Sequence, residues 1–224
     1  MQVTTEVDGD VALITMDDGK KNAITPEVYA HLNAAFDRAE SEAKAVVLAG
    51  REGAFCAGFD LATMTSGDAK AILEVARGGA EFALRLWSFP KPLVIACTGH
   101  AFTIGAIWLS CGDTRIGDRG PFKIGMNETR MGMTFTPWAL APLEYRLSRQ
   151  HWIKSIVQAH VYDPDGALEA GFLDEVVDDG RAVARALDVA GELAQLPAKA
   201  YATTKIMTRA ESIAVMRSDI ATMG

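Results

Sequence analysis

The stretch GAFCAGFDL (residues 53–61) stands two residues after KAVVLAG (44–50), a short apolar run closed by glycine that reads as a strand covered on both faces. Two small residues, a glycine, an aromatic and an acid then stand where a strand gives way to a helix. Such a turn either supports the core or directs backbone N–H groups at a ligand, because a helix start leaves four N–H groups without intrahelical partners. The same order of strand, small-residue turn and helix recurs in LVIACTGHAFTIGAI (93–107). Brought together, two such turns would make a two-donor cradle for an oxygen that gathers negative charge. Neither contains G-x-G-x-x-G or G-x-x-x-x-G-K-[ST], so dinucleotide and P-loop readings have little support.

Around these turns the chain alternates strands and helices. DVALITM (10–16) reads as a strand closed by the turn-prone DDGKKN (17–22), and Thr25 and Pro26 form an N-cap and N1 pair before Val28, Leu32, Ala35 and Ala39 recur at helical spacing. The stretch 68–89 is helical in pattern with an interruption at Gly78 and Gly79, and Pro90 and Pro92 end it. TIGAIWLSCG (103–112) reads as a buried helix, and DTRIG (113–117) and PFKIG (121–125) as short strands. GALEAGFLDEVV (166–177) gives a short helix feeding a strand, and 180–197 and 198–216 are helical, with an apolar stripe through Ile206, Ile213 and Met216 that needs a partner. The expectation is an α/β fold with strands early and helices late, divided into a core of 1–195 and a C-terminal helical segment of 196–224.

The 224 residues, 49% of them apolar, suffice for one sizeable core. A net charge of -7 argues against nucleic-acid or anionic-membrane partners. Three cysteines in apolar surroundings, Cys56, Cys97 and Cys111, lack the spacing of a disulfide framework, so a reducing cytoplasmic location is expected. No basic start precedes an apolar leader, no run is long enough for a membrane span, and no metal-ligand pattern occurs among the four histidines.

AFCAGFDL (54–61), VIACTGHAFTIGA (94–106), FKIGMNETRMG (122–132) and ALEAGFLDEVV (167–177) together resemble the crotonase superfamily, or enoyl-CoA hydratase/isomerase family, over residues 10 to 195. The resemblance implies a spiral of ββα units with C-terminal helices, the ClpP/crotonase type of α/β fold. It implies an acyl-CoA thioester substrate, no resident cofactor, and a homotrimer or dimer of trimers. The oxyanion donors would be the N–H groups of Phe59 and Ile104. Thr103-Ile104-Gly105 departs from the G-G-G run of many members, and β-branched residues there restrict the loop and crowd the acyl pocket. Ala23, Ala57 and Gly58 would border the CoA arm, with Lys20 and Lys21 of KKNAI (20–24) meeting phosphate or standing as solvated turn lysines.

A base beside a thioester needs a pKa raised toward neutrality by an apolar site, and Glu128 is the candidate, with Ile124, Met126, Met131 and Met133 as a dry surround. The bland alternative is a surface glutamate paired with Arg130. Asn127 would either orient Glu128 or cap a turn. Where family hydratases carry a second glutamate this chain has Ile107, and IGMNET (124–129) is similar to the mitochondrial 3,2-enoyl-CoA isomerase type. One acid suits a proton shuttle between C2 and C4 better than water addition. A hydratase, another acyl-CoA reaction such as decarboxylation or thioester hydrolysis, and a non-catalytic acyl-CoA-binding protein remain alternatives. Ile107, Met133 and Trp138 are expected at the acyl pocket, with the proline-bearing 136–147 as its wall or as a connection. Asp60 is expected to cap a helix, Asp113 to cap or pair in the core, and His100 to be hydrogen-bonded within its turn.

Overall fold

The computed structural model describes residues 1–223, so Gly224 of the expected C-terminal segment lies outside the described residues. The chain opens with β1 (Gln2–Asp8), β2 (Val11–Asp17), β3 (Ala23–Ile24) and α1 (Pro26–Glu42). Then come β4 (Ala45–Ala49), β5 (Gly53–Cys56), β6 (Gly58–Phe59), α2 (Leu61–Met64) and α3 (Ala69–Trp87). A further unit is β7 (Leu93–Cys97), β8 (Gly99–Phe102) and α4 (Ile104–Cys111), followed by β9 (Thr114–Asp118), β10 (Ile124–Gly125) and α5 (Pro137–Arg146). The remainder is α6 (Arg149–Trp152), β11 (Val161–Tyr162), α7 (Pro164–Ala170), β12 (Glu175–Val177), α8 (Ala182–Leu193), α9 (Ala198–Thr208) and α10 (Ala210–Ile220).

Each turn of the chain thus places one strand in a six-stranded sheet, ordered β1-β2-β4-β7-β9-β12, and its next in a smaller sheet, before a helix returns it. The large sheet is parallel from β2 onward, with β1 added antiparallel at the edge. The smaller sheet runs β11-β10-β8-β5, and β3 pairs β6 alone. This is the crotonase-like spiral of ββα units.

Side chains of a strand alternate between faces, and β4 uses both. Val46 and Leu48 enter the main core, whereas Ala45, Val47 and Ala49 meet Ala182, Ala186 and Ala190 of α8. Alanines at every fourth position let α8 lie close against the sheet. One expectation is corrected and two gain detail. Gly78 and Gly79 do not interrupt α3, since a side chain at 78 would collide with the Tyr29 ring and the missing side chains give room for close packing. Thr25 holds the N-cap position of α1 without a side-chain cap bond. The proline-bearing 136–147 is largely helix, with Pro137 in its first turn, where the missing N–H costs nothing.

The late helices are tied to the core by one carboxylate. Asp113, at the end of α4, accepts from Leu93 N–H (2.9 Å), Tyr201 Oη (2.8 Å), Lys205 Nζ (2.8 Å) and Arg209 Nη2 (2.8 Å). Ile213 and Met216 of the expected stripe are buried where α10 packs on α5 and α3, whereas Ile206 stays exposed. Asp113→Asn leaves two buried cations without a counter-charge, so the midpoint of urea unfolding should fall by the equivalent of about 3–5 kcal/mol. An unchanged midpoint would contradict this anchoring role.

Candidate active site

The early loop is built onto the first turn by a side chain that the sequence reading did not single out. Asn22, buried and left-handed at φ 55, donates through Nδ2 to the carbonyls of Met16 (2.9 Å), Ala54 (3.2 Å) and Phe55 (3.1 Å), while its Oδ1 accepts from Asp18 N–H (3.0 Å). The readable signal was an asparagine ending a turn-forming run, since asparagine tolerates positive φ better than most residues. Ala57 N–H donates to Lys21 O (2.9 Å) and Ala23 pairs with Gly58, so the segments that carry Lys20, Lys21, Ala23, Ala57 and Gly58 lie side by side. Asp60 N–H donates to Ile24 O (2.9 Å) on β3. Successive N–H groups of an extended chain alternate direction, so the Phe59 N–H points away from β3. The Asp60 carboxylate caps α2 by accepting from Thr63 N–H (2.9 Å).

The second turn lies against the first because β5 and β8 are parallel neighbours. A Cβ on Gly58 would collide with Thr103 Oγ1, and one on Gly105 would stand 2.7 Å from the Cys56 Cβ. A Cβ on Gly79 of α3 would stand 2.9 Å from the Phe59 ring and 3.2 Å from Ile104 Cδ1, so one helical position backs both candidate donors. Thr103 sits at φ 50, ψ -120, a conformation costing a β-branched residue on the order of 1–3 kcal/mol. That backbone launches α4 at Ile104, whose N–H is the first of the helix, and among the described residues no protein acceptor receives it.

The acid-bearing segment is tied to this turn. Gly125 of β10 pairs with Phe102, and its carbonyl accepts from Thr103 N–H (3.3 Å), which sets Glu128 three residues beyond the contact. Glu128 Oε2 is buried without a hydrogen-bond partner, as is Asn127 Oδ1 beside it. Burial pushes the Glu128 carboxyl up to about 7, against a smaller pull from the N–H groups of Glu128 and Asn127. Arg130 does not pair with it, reaching instead to Ala159 O (3.4 Å).

The dry surround is only partly as expected. Ile124 and Met126 are buried, but the turn closed by left-handed Gly132 leaves Met131 and Met133 exposed, so Met133 lies outside the buried cluster. Ile107 and Trp138 share that cluster with Ile104. His100 Nδ1 accepts from Lys123 N–H (3.0 Å), and its pKa is lowered by burial and then by Lys21. Among the described residues no cluster of three His, Cys, Asp or Glu side chains could hold a metal, and no helix is long and apolar enough to cross a membrane.

Comparison with known proteins adds an independent line. The sequence profile of the family described as enoyl-CoA hydratase/isomerase matches residues 6–220. The crystal structure of probable enoyl-CoA hydratase EchA3 from Mycobacterium tuberculosis H37Rv is 40% identical, with a TM-score of 0.94 over 98% of this chain and 93% of that one. A second, apo structure of that same Mycobacterium tuberculosis protein, there called an enoyl-CoA isomerase, is 39% identical, with a TM-score of 0.93 over 99% of this chain and 96% of that one, so a single relative carries both names. Human mitochondrial enoyl-CoA delta isomerase 1 is 24% identical over 211 residues, 92% of this chain and 70% of that protein. These names divide between hydratase and isomerase.

The raised pKa of Glu128 has a stability signature. A carboxyl titrating near 7 when folded and near 4.5 when unfolded makes the folded state lose stability as pH rises between those values. Glu128→Gln should therefore match wild type at pH 4 and exceed it by about 2 kcal/mol at pH 8, discounting for partial exposure. Denaturant unfolding at the two pH values measures it, and equal stability of the two proteins at both would contradict the burial.

Proposed function

The chain belongs to the enoyl-CoA hydratase/isomerase family, with that family's kind of catalysis on acyl-CoA thioesters, and on that premise we propose that it shifts the double bond of a 3-enoyl-CoA to the 2 position. One observation carries the reading. Among the described residues Glu128 is the one carboxylate that keeps a buried oxygen without a partner, and buried Ile107 stands where the family resemblance puts the second acid of hydratases.

In this mechanism ionised Glu128 takes a proton from C2 of the bound 3-enoyl thioester. The electron pair passes into the conjugated system and the thioester oxygen becomes negative. The N–H groups of Phe59 and Ile104 hold that oxygen, an oxyanion-hole donor being worth about 2.7–4 kcal/mol. Glu128 then returns the proton to C4, leaving a 2-enoyl product with no change in atoms and a free carboxylate. The backbones of Ala23, Ala57 and Gly58 hold the pantetheine arm and Lys20 and Lys21 meet its phosphates. Ile107 and Trp138 bound the acyl tail, with Met133 at its outer edge. The same reading includes assembly as a homotrimer or a pair of trimers.

A second reading, water addition to a 2-enoyl-CoA, draws support from Asn127, whose buried Oδ1 could hold a water for Glu128 to activate. Product analysis separates the two. Incubated with a 3-enoyl-CoA, the protein should give the conjugated 2-enoyl absorbance with no change in mass. Gain of one water from a 2-enoyl-CoA would favour hydration, and tight binding with no product would favour a binding protein. Glu128→Gln should lower turnover by about 10²–10⁴-fold. Because the base must be ionised, kcat/KM should fall as pH drops below about 7. Unchanged turnover in the variant would end the assignment to Glu128.

A further inference from the structure

At the C-terminal end of α4, away from the paired turns, a cleft of about 440 Å³ opens between α5 and α9. Arg146, Lys205 and Arg209 line it against one acid, Asp113. Asp113 already accepts from a backbone N–H, a tyrosine hydroxyl and two of these cations. Nearby Arg115 is neutralised separately by Asp174. Three cations against one carboxylate leave two positive charges in excess, and the Lys205 and Arg209 side chains are each only 5% exposed.

Lys205 Nζ also donates to Lys91 O (3.2 Å) and Arg209 Nη1 to Trp87 O (2.9 Å), neutral acceptors that leave the excess charge in place. Burial lowers Lys205 to about 8, with Arg209 and Arg146 opposing the help of Asp113, and lowers Arg146 to about 10, with Arg115 and Arg209 adding to the effect. Arg146 spends Nε and Nη2 on the Ser110 and Gly112 carbonyls at the end of α4. Among the described residues its Nη1 donates to no protein atom. Excess buried positive charge is costly unless an anion accompanies it.

We propose that this cleft binds a small phosphate-bearing molecule, its dianionic phosphate seated among Arg146, Lys205 and Arg209. A phosphate monoester carries about -1.5 to -2 at neutral pH, which balances the excess, whereas a carboxylate supplies one charge. Guanidinium groups also match phosphate geometry with paired donors. The cleft has more room than a phosphate ion fills, and Tyr145 and Leu196 offer an apolar wall to the body of the ligand. Helix α4, buried throughout and about 12 Å long at 1.5 Å per residue, separates this site from Ile104. The proposal therefore stands apart from acyl-CoA chemistry.

Titration calorimetry with inorganic phosphate, at ionic strength fixed by sodium chloride and with acetate as the monoanion control, tests it. Saturable binding of one phosphate per chain is expected, with acetate much weaker. Arg146→Gln should weaken phosphate binding by about ten-fold or more. Thr204→Glu, on the exposed wall of the cleft, should do the same by repulsion and decides the matter if Arg146→Gln fails to fold. Turnover of acyl-CoA should stay at the wild-type level in Thr204→Glu, so loss of this site is distinguishable from loss of the proposed activity. Absence of saturable phosphate binding, acetate binding as tight as phosphate, or full phosphate affinity in Thr204→Glu would overturn the proposal.

Discussion

The close approach of Gly58 to Thr103 is the constraint on which the candidate site depends. A side chain at 58 would occupy the space of the Thr103 hydroxyl, so the two turns touch only because that position has no Cβ. Gly105 against Cys56 and Gly79 against Phe59 and Ile104 repeat the arrangement from two further directions. The spiral brings the turns together, since β5 and β8 come from consecutive units and pair in parallel. The left-handed backbone of Thr103 is the cost of starting α4 at this place, and a conformation of that kind persists only where its surroundings over-determine it. Buried α4 and the Gly125 carbonyl on the Thr103 N–H supply that restraint.

Two acids show how burial is used differently within one chain. Asp113 is surrounded by donors and ties α9 to the sheet, so its charge is compensated and structural. Glu128 is half-buried with one oxygen buried and unpaired, a state that raises its pKa and weakens the folded protein at neutral pH. An unpaired carboxylate beside the two paired turns fits the proposed role of base, whereas a fully partnered one does not.

Much of the fold was legible because its signals are local. KAVVLAG carries apolar residues at every position facing either layer, and both faces of β4 are covered. TIGAIWLSCG is apolar on nearly every side, and every residue of α4 is buried. What escaped has a weak local pattern or depends on distant partners. β1 is a half-exposed edge strand with threonines and acids, and β3, β6 and β11 are two-residue pairings that no periodicity can announce. Gly78 and Gly79 look like a helix break until the Tyr29 and Phe59 rings are seen against them. Met131 and Met133 read as a dry lining but stand exposed on either side of left-handed Gly132. The part played by Asn22 rests on carbonyls more than thirty residues away.

A crystal structure with a slowly turned-over enoyl-CoA analogue tests the central claim most directly. The account predicts the thioester oxygen at hydrogen-bond distance, about 2.7–3.1 Å, from both the Phe59 and Ile104 nitrogens, with Glu128 facing the C2 to C4 carbons. A thioester oxygen held elsewhere, or a Glu128 carboxylate turned to solvent in the occupied site, would contradict it.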